Sequence, residues 1–291
     1  MPAMRLYLSY ALRPVIGSML GMSVLLVAAA PAWCALAIDV TVSTNRSNAV
    51  ANITSPSFST ASDAELLLAF VASDATSAGM TVTGITGAGL TWTLVRRTNA
   101  QLGTAEVWRA FAPTRLSAVT VRANLSQSVA ASLTIVSFTG IDTSGTNGSG
   151  AMGATGGSSA NSGAPTASLV TTRNNSWVFG VGVDWDRAIA RTVPSNQVLV
   201  NQYLATVGDT YWMQRQSAPT AASGTTVTIN ATAPTTDRYN LTVVEVLATP
   251  VAGTTFSVAG AHRAGFPRQR RDGHPGADRD DHSDSHGRRQ R

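Results

Sequence analysis

Two acidic patterns and a set of aromatics are the residues of this 291-residue chain whose types and spacing invite chemistry. Asp184-Trp185-Asp186 is a D-x-D at a strand end, and Asp209 follows in a later loop. Oxygen-rich loops of this kind can hold Ca²⁺, but the ion takes about six to eight oxygens, so three carboxylates are a partial set. The competing reading is two turn carboxylates, one of them paired with Arg187 or Arg191. Glu106 in AEVWR and Glu245 in VVEVL lie inside predicted strands. Two carboxyl groups about 5–9 Å apart can hydrolyse a glycosidic bond, so Glu245 with Glu106 or Asp184 defines a glycoside-active alternative. The competing reading is an acid facing solvent or paired with Arg109, Arg215 or Arg238. Trp185, Trp108, Tyr211 and Trp212, with Trp92 and Tyr203, carry rings that can stack on sugars, although sandwich aromatics usually pack in cores. Trp185 stands apart because it sits between two acids.

Much other chemistry is excluded. The single Cys is Cys34, and all four His lie beyond Val251. The stretch between them therefore lacks Ser-His-Asp and Cys-His catalysis and His/Cys zinc sites.

The elements that must position these residues are β throughout. Runs rich in Val, Thr, Ile and aromatics, bounded by Gly, Ser, Asn and Pro, predict strands over 39–43, 65–72, 81–85, 91–97, 105–111, 118–123 and 132–139. A second set covers 169–172, 177–184, 198–203, 210–215, 225–229 and 240–247. No segment sustains a helical apolar period. Many short strands at even spacing predict an all-β two-sheet sandwich.

The two sets are copies of one another. Glu65-LLLAFVASD aligns with Ser176-WVFGVGVDW, and Leu133-TIVSF with Leu241-TVVEV. Thr120-VRAN aligns with Thr226-VTIN. Gly103-TAEVWRAFAP aligns with Gly208-DTYWMQRQSAP, one residue longer. This duplication predicts two pseudo-equivalent halves, residues 38–142 and 166–250, in a jelly-roll-like sandwich. Residues 143–165, including SGTNGSGAMGATGGSSANSG, read as a Gly/Ser-rich connection without a core of its own. Because strand side chains alternate, Leu66, Leu68, Phe70 and Ala72 share a face, as do Trp177, Phe179, Val181 and Val183, and that face is the expected core. Glu245 aligns with Ser137, so the fold does not demand an acid there.

The run Leu90-TWTLV, AEVWRAFAP, VTV and SLTIVSFTGIDTSG resembles the β-sandwich modules of large secreted bacterial proteins, in which VTGVTYGGxxLT, ELWYLxNPPAGT and VSFSGVDQT recur. The resemblance spans about Asp39 to Ala248. It rests on packing and turn patterns, and such modules often stand beside immunoglobulin-like or fibronectin-like repeats. It implies a non-catalytic accessory or adhesive role and carries over no functional residues.

Both ends differ from the middle. Arg5 and Arg13, the apolar run Val15–Ala30 and the small-x-small pattern Ala35-Leu36-Ala37 predict a secretory signal peptide over 1–37, cleaved after Ala37. Residues 251–291 read as a basic tail too polar to order itself. From 261 on, its Arg, Gly, Pro, Asp and His content also fits a frameshift in a GC-rich gene. The chain has no Lys, and ten of its 21 Arg lie in the leader and the tail. Residues 38–250 carry eleven Arg against eleven acids, a balance without the electrostatic footprint of nucleic-acid binding. The expectation is a secreted, extracellular, non-catalytic module, structural, adhesive or carbohydrate-binding, with a polysaccharide or other cell-surface polymer as partner and no membrane span after cleavage. A Ca²⁺-stabilised lectin-like domain using Asp184, Asp186 and Asp209 is the further alternative, and no other cofactor is expected.

Overall fold

The computed structural model describes residues 35–250; the leader up to Cys34 and the tail from Val251 lie outside the described residues. The longest apolar run sets the centre. Glu65-LLLAFVAS forms β2 (Glu65–Ser73), and every residue of it is buried, as a strand covered on both faces requires. It lies in a first sheet with β1 (Ala37–Thr54), β3 (Val82–Gly87), β4 (Thr93–Thr98), β5 (Thr104–Ala112) and β6 (Val121–Thr139). The order is β1-β6-β2-β5-β4, with β3 also on β6. The second half supplies β7 (Met152–Gly163), β8 (Thr166–Val170), β9 (Trp177–Asp184), β10 (Gln197–Leu204), β11 (Thr210–Gln216), β12 (Thr226–Asn230) and β13 (Asp237–Val246). Its sheet runs β7-β13-β9-β11-β10, and β8 pairs with β12 in a separate ribbon. The described residues hold no α-helix, and no helix long and apolar enough to cross a membrane.

The duplication is therefore a duplication of sheets, with each half building one. Register repeats it residue by residue. Leu67 faces Ser137 and Val178 faces Glu245. Ala69 faces Trp108 and Gly180 faces Gln214. The bulge between Leu94 and Arg96 recurs between Leu199 and Asn201. The one-residue excess of the second half falls at Asp209, just before Thr210, the counterpart of Thr104. The halves differ where β1 and β6 run long. The corresponding second-half strands are each broken in two, β7 from β8 at Pro165 and β12 from β13 around Pro234, where a residue without an N–H interrupts a ladder.

The stretch expected to be a coreless connection is corrected here, since residues 152–163 of it are β7, an edge strand paired along β13. Its small residues reflect close approach on both faces. A Cβ on Gly156 would lie 2.5 Å from the Ser168 carbonyl oxygen of the ribbon, and one on Gly157 would collide with the Thr98 hydroxyl of the first sheet. A composition that resembles a flexible linker thus encodes tight packing.

Three apolar clusters stack through the molecule. Between the sheets lie Leu66, Leu68, Phe70 and Ala72 against Phe179, Val181 and Val183, with Trp177 at the margin, the face that side-chain alternation predicts. Leu36, just ahead of β1, is buried in the same cluster. On the outer face of the first sheet, residues of β3 and of the start of β6 cluster with Leu67, Ala69 and Val71. Outside the second, the β8–β12 ribbon covers Val178, Trp212, Leu241 and Val243. Each fully buried large side chain contributes about 1.5–3 kcal/mol.

Candidate functional site

Glu106 and Glu245, the paired carboxylates of the glycoside-active alternative, are both fully buried. Their strand neighbours Val107 and Val244 point into the inter-sheet core, so both acids point outward, from opposite sheets. A groove cannot contain both. Asp184 is no closer partner for Glu245, because it stands six residues along β9 from Val178, which faces Glu245; that is about 20 Å at strand rise. The geometry of two carboxyls flanking one bond is thus not present in any of these pairings.

Each glutamate has a structural occupation. Glu106 accepts from Arg97 Nε at 2.7 Å and Nη2 at 3.1 Å, Val82 N at 2.7 Å, Thr104 Oγ1 at 3.0 Å and Trp108 Nε1 at 2.9 Å. Its guanidinium is Arg97, not one of the three arginines that the sequence brings to mind. Among the described residues no guanidinium pairs with Glu245. It accepts from Ala154 N at 2.9 Å, Thr172 N at 2.9 and 3.0 Å, and Thr172 Oγ1 at 2.8 Å. The duplication explains the first contact. A register break lies between Ile38 and Thr41 on β1 and between Val244 and Val246 on β13. In the first half, Val40 N donates to Ser137 Oγ at 3.1 Å, and Ser137 is the counterpart of Glu245. Both side chains satisfy a bulge N–H that the ladder leaves over. In the first half the acid sits instead across the strand pair, at Glu65, whose counterpart is Ser176; burial pushes the Glu65 carboxyl up. Glu245→Ala strands more donors than Ser137→Ala does. Hydrogen bonds to charged groups contribute about 1.5–3 kcal/mol and neutral ones about 1. Thermal melting of the two variants is therefore expected to show the loss at Glu245 about two to three times that at Ser137, and equal losses would remove this account.

The D-x-D acids are not gathered as a ligand set, and no group of three acid, His or Cys side chains able to hold a metal occurs among the described residues. Asp184 is fully buried and bonds Arg191 Nη2 at 2.7 Å. The other nitrogen, Nη1, bonds Asp237, and the guanidinium lies 4.7 Å above the Trp212 ring. The Arg191 pairing is the one that the competing sequence reading named. Burial pushes Asp184 up to about 7 against the pull of Arg191, and raises Asp237 as well. Asp186 is exposed and stands 3.5 Å from Arg238 Nε. Asp209 accepts from the Tyr211 hydroxyl at 2.5 Å; burial, against that bond, pushes it up to about 7 and the Tyr211 phenol up also.

The aromatics divide. Tyr211 and Trp212 are fully buried and offer no face to a ligand. Trp108 is half-buried with its indole N–H on Glu106. Trp185 is half-buried against the inter-sheet core, with the Arg238 guanidinium 5.2 Å from its ring.

Open space lies elsewhere, at the end of the sandwich where β2 and β9 begin. A cleft of about 500 Å³ in the first half is lined by Leu90, Phe111, Pro113, Leu116 and Asn147. One of about 360 Å³ lies at the equivalent place in the second half, among the ends of β10 and β11 and the ribbon strand β12. Its wall includes Gln197, Gln216, Thr220, Thr226, Thr228 and Asn230. A third, of about 330 Å³, opens beside Arg173 and Asn174. The sequence reading missed all three because it sought charges and rings, whereas the second-half cleft is built from neutral amides and hydroxyls. Its signal was present in the repeat, where Thr91-Trp92-Thr93-Leu94-Val95 aligns with Asn196-Gln197-Val198-Leu199-Val200.

Comparison with family models, curated proteins and solved structures finds no match to this chain.

Proposed function

We propose that this chain is a secreted, extracellular, non-catalytic β-sandwich module that binds polysaccharide in an adhesive or structural setting. One observation carries the reading: Glu106, Glu245, Asp184 and Asp209 are each buried and committed to internal partners, and none of them lines an open cleft. A catalytic carboxylate must reach substrate, and none of these four reaches solvent. Neutral amide and hydroxyl groups facing an open cleft suit ligands rich in hydroxyls. Export through a leader cleaved after Ala37 belongs to the same proposal; it leaves Ile38 first, still paired with Phe138, and removes Leu36.

The test is retention of the purified protein on insoluble polysaccharides together with a glycan array, in buffer with and without EDTA. Binding to at least one polymer, unchanged by EDTA, is expected. Absence of binding throughout reduces the module to a spacer, and binding that EDTA abolishes favours the Ca²⁺-dependent alternative.

A further inference from the structure

The second-half cleft can be compared with a control inside the same chain. Gln197 occupies the position of Trp92, one residue before the pair Val198–Arg215, which matches Thr93–Arg109. Gln214 occupies the position of Trp108. In the first half both indoles help to fill the outer core, Trp92 being 9% exposed. The fold therefore has an apolar solution at these two positions, and the second half does not use it.

The amides that replace the indoles form a ladder. Gln214 Nε2 donates to Gln197 Oε1 at 2.8 Å and to the Asn230 carbonyl at 3.1 Å. Gln197 Nε2 donates to Asn230 Oδ1 at 2.9 Å and to the Thr228 carbonyl at 3.1 Å, and Asn230 N donates back to Gln197 Oε1 at 3.2 Å. Gln214 is fully buried, yet its Oε1 has no partner. Burying amides costs free energy unless every atom is satisfied. A ladder with an open acceptor where two tryptophans would pack is not explained by stability. Its effect is to hold the Asn230 amide in fixed orientation along the wall of the second-half cleft, with the Gln197 amide as its support.

We propose that this cleft is a subsite for a neutral glycan, with the amides of Gln216 and Asn230 and the hydroxyl of Thr226 as its recognition groups. The proposal rests on the polysaccharide-binding reading above and names the ligand class and the place. The class follows from the lining. Among the described residues no charged side chain lines the cleft, so they offer neither a carboxylate nor a phosphate a counter-charge. An amide both donates and accepts, as do neighbouring ring hydroxyls. The volume, about 360 Å³, is at the small end of the roughly 300–1,000 Å³ range of ligand sites. Without an aromatic platform the affinity of a single site is expected to be on the order of 1 mM.

The test is an NMR titration of the full chain with cellotriose, maltotriose and triacetylchitotriose, following backbone and side-chain amide signals, beside a charged probe, trigalacturonate. Thr226 is exposed at the cleft, so Thr226→Arg fills the mouth without touching the ladder. The control is Thr114→Arg, exposed at the first-half cleft. The expected result is shifts at the side-chain amides of Gln216 and Asn230 with one neutral trisaccharide, weakened tenfold or more by T226R and unchanged by T114R. Neutral-glycan binding that T226R leaves intact, or binding of trigalacturonate alone, overturns the subsite while the polysaccharide reading stands. No binding of any glycan at tens of millimolar overturns both.

Discussion

Replacing Arg191 with Met lowers the melting temperature by roughly 6–20 °C at pH 8 and by much less at pH 5. The first figure follows from the burial of all three partners. Removing one member of a buried ion network costs about 3–5 kcal/mol, because the charges left behind lose their counter-charge; for a domain of this size each kcal/mol is about 2–4 °C. Met keeps much of the packing against Trp212, so the loss is mainly electrostatic. The pH dependence follows from linkage. Asp184 has a folded pKa of about 7 against about 3.9 unfolded. A carboxyl raised on folding binds its proton more tightly in the native state. Its contribution is fully present below the unfolded value and is lost as pH rises through the folded value. The native protein itself is therefore expected to melt higher at pH 5 than at pH 8, with Asp209 and Asp237 acting in the same direction. Arg191 is among the groups that hold Asp184 and Asp237 down. Without it both rise further, so the variant is penalised where they must ionise and relieved where they stay neutral. Differential scanning calorimetry across that range checks the account, and a deficit independent of pH would show that Arg191 acts through packing alone.

How much of this was legible beforehand depended on whether the cause was local. The run Leu66–Ala72 and its copy Trp177–Val183 carry alternation and length in themselves, so sheet, facing and pseudo-equivalence could be read from them. The alignment of Glu245 with Ser137 is reproduced by the register. What could not be read depends on distant partners. Gly156 and Gly157 are small because Ser168 and Thr98 lie against them, and nothing near them in sequence distinguishes that from a linker. The acids raise the same difficulty. Glu245 meets backbone N–H groups at Ala154 and Thr172, 91 and 73 residues away in sequence, so its type alone suggested chemistry where its neighbours show a clamp. The cleft is intermediate, since Trp92 against Gln197 is visible once the halves are aligned through β4 and β10, strands whose sequences TLVRRT and QVLVNQYL share little.

Phe179→Ala is expected to lower the melting temperature by a similar amount, through the other kind of buried contact. Phe179 is fully buried, with Phe138 edge-on at 5.0 Å, Trp177 at 5.7 Å and Phe70 at 6.1 Å. Truncating a core Phe costs about 3–5 kcal/mol in lost transfer energy and residual cavity, or roughly 6–20 °C here. Phe70 and Phe138 belong to the first sheet and Phe179 to the second, so the cavity opens between the halves and not within one. The central cluster that it weakens is common to both sheets, and each sheet has a separate outer cluster. If the shared core couples the halves, the variant unfolds in one shifted transition, with both sheets lost together and the urea m-value unchanged. The outer clusters set the opposing possibility. Were they strong enough to sustain each sheet alone, F179A would split the transition and leave the first half, with its tryptophans Trp92 and Trp108, folded after the second had melted. Urea unfolding followed by both tryptophan fluorescence and far-UV circular dichroism separates the outcomes, because the second-half indoles Trp177, Trp185 and Trp212 would report early in the split case and the two probes would cease to coincide. Coincident curves displaced to lower urea are the result expected of two sheets that are stable only as a pair.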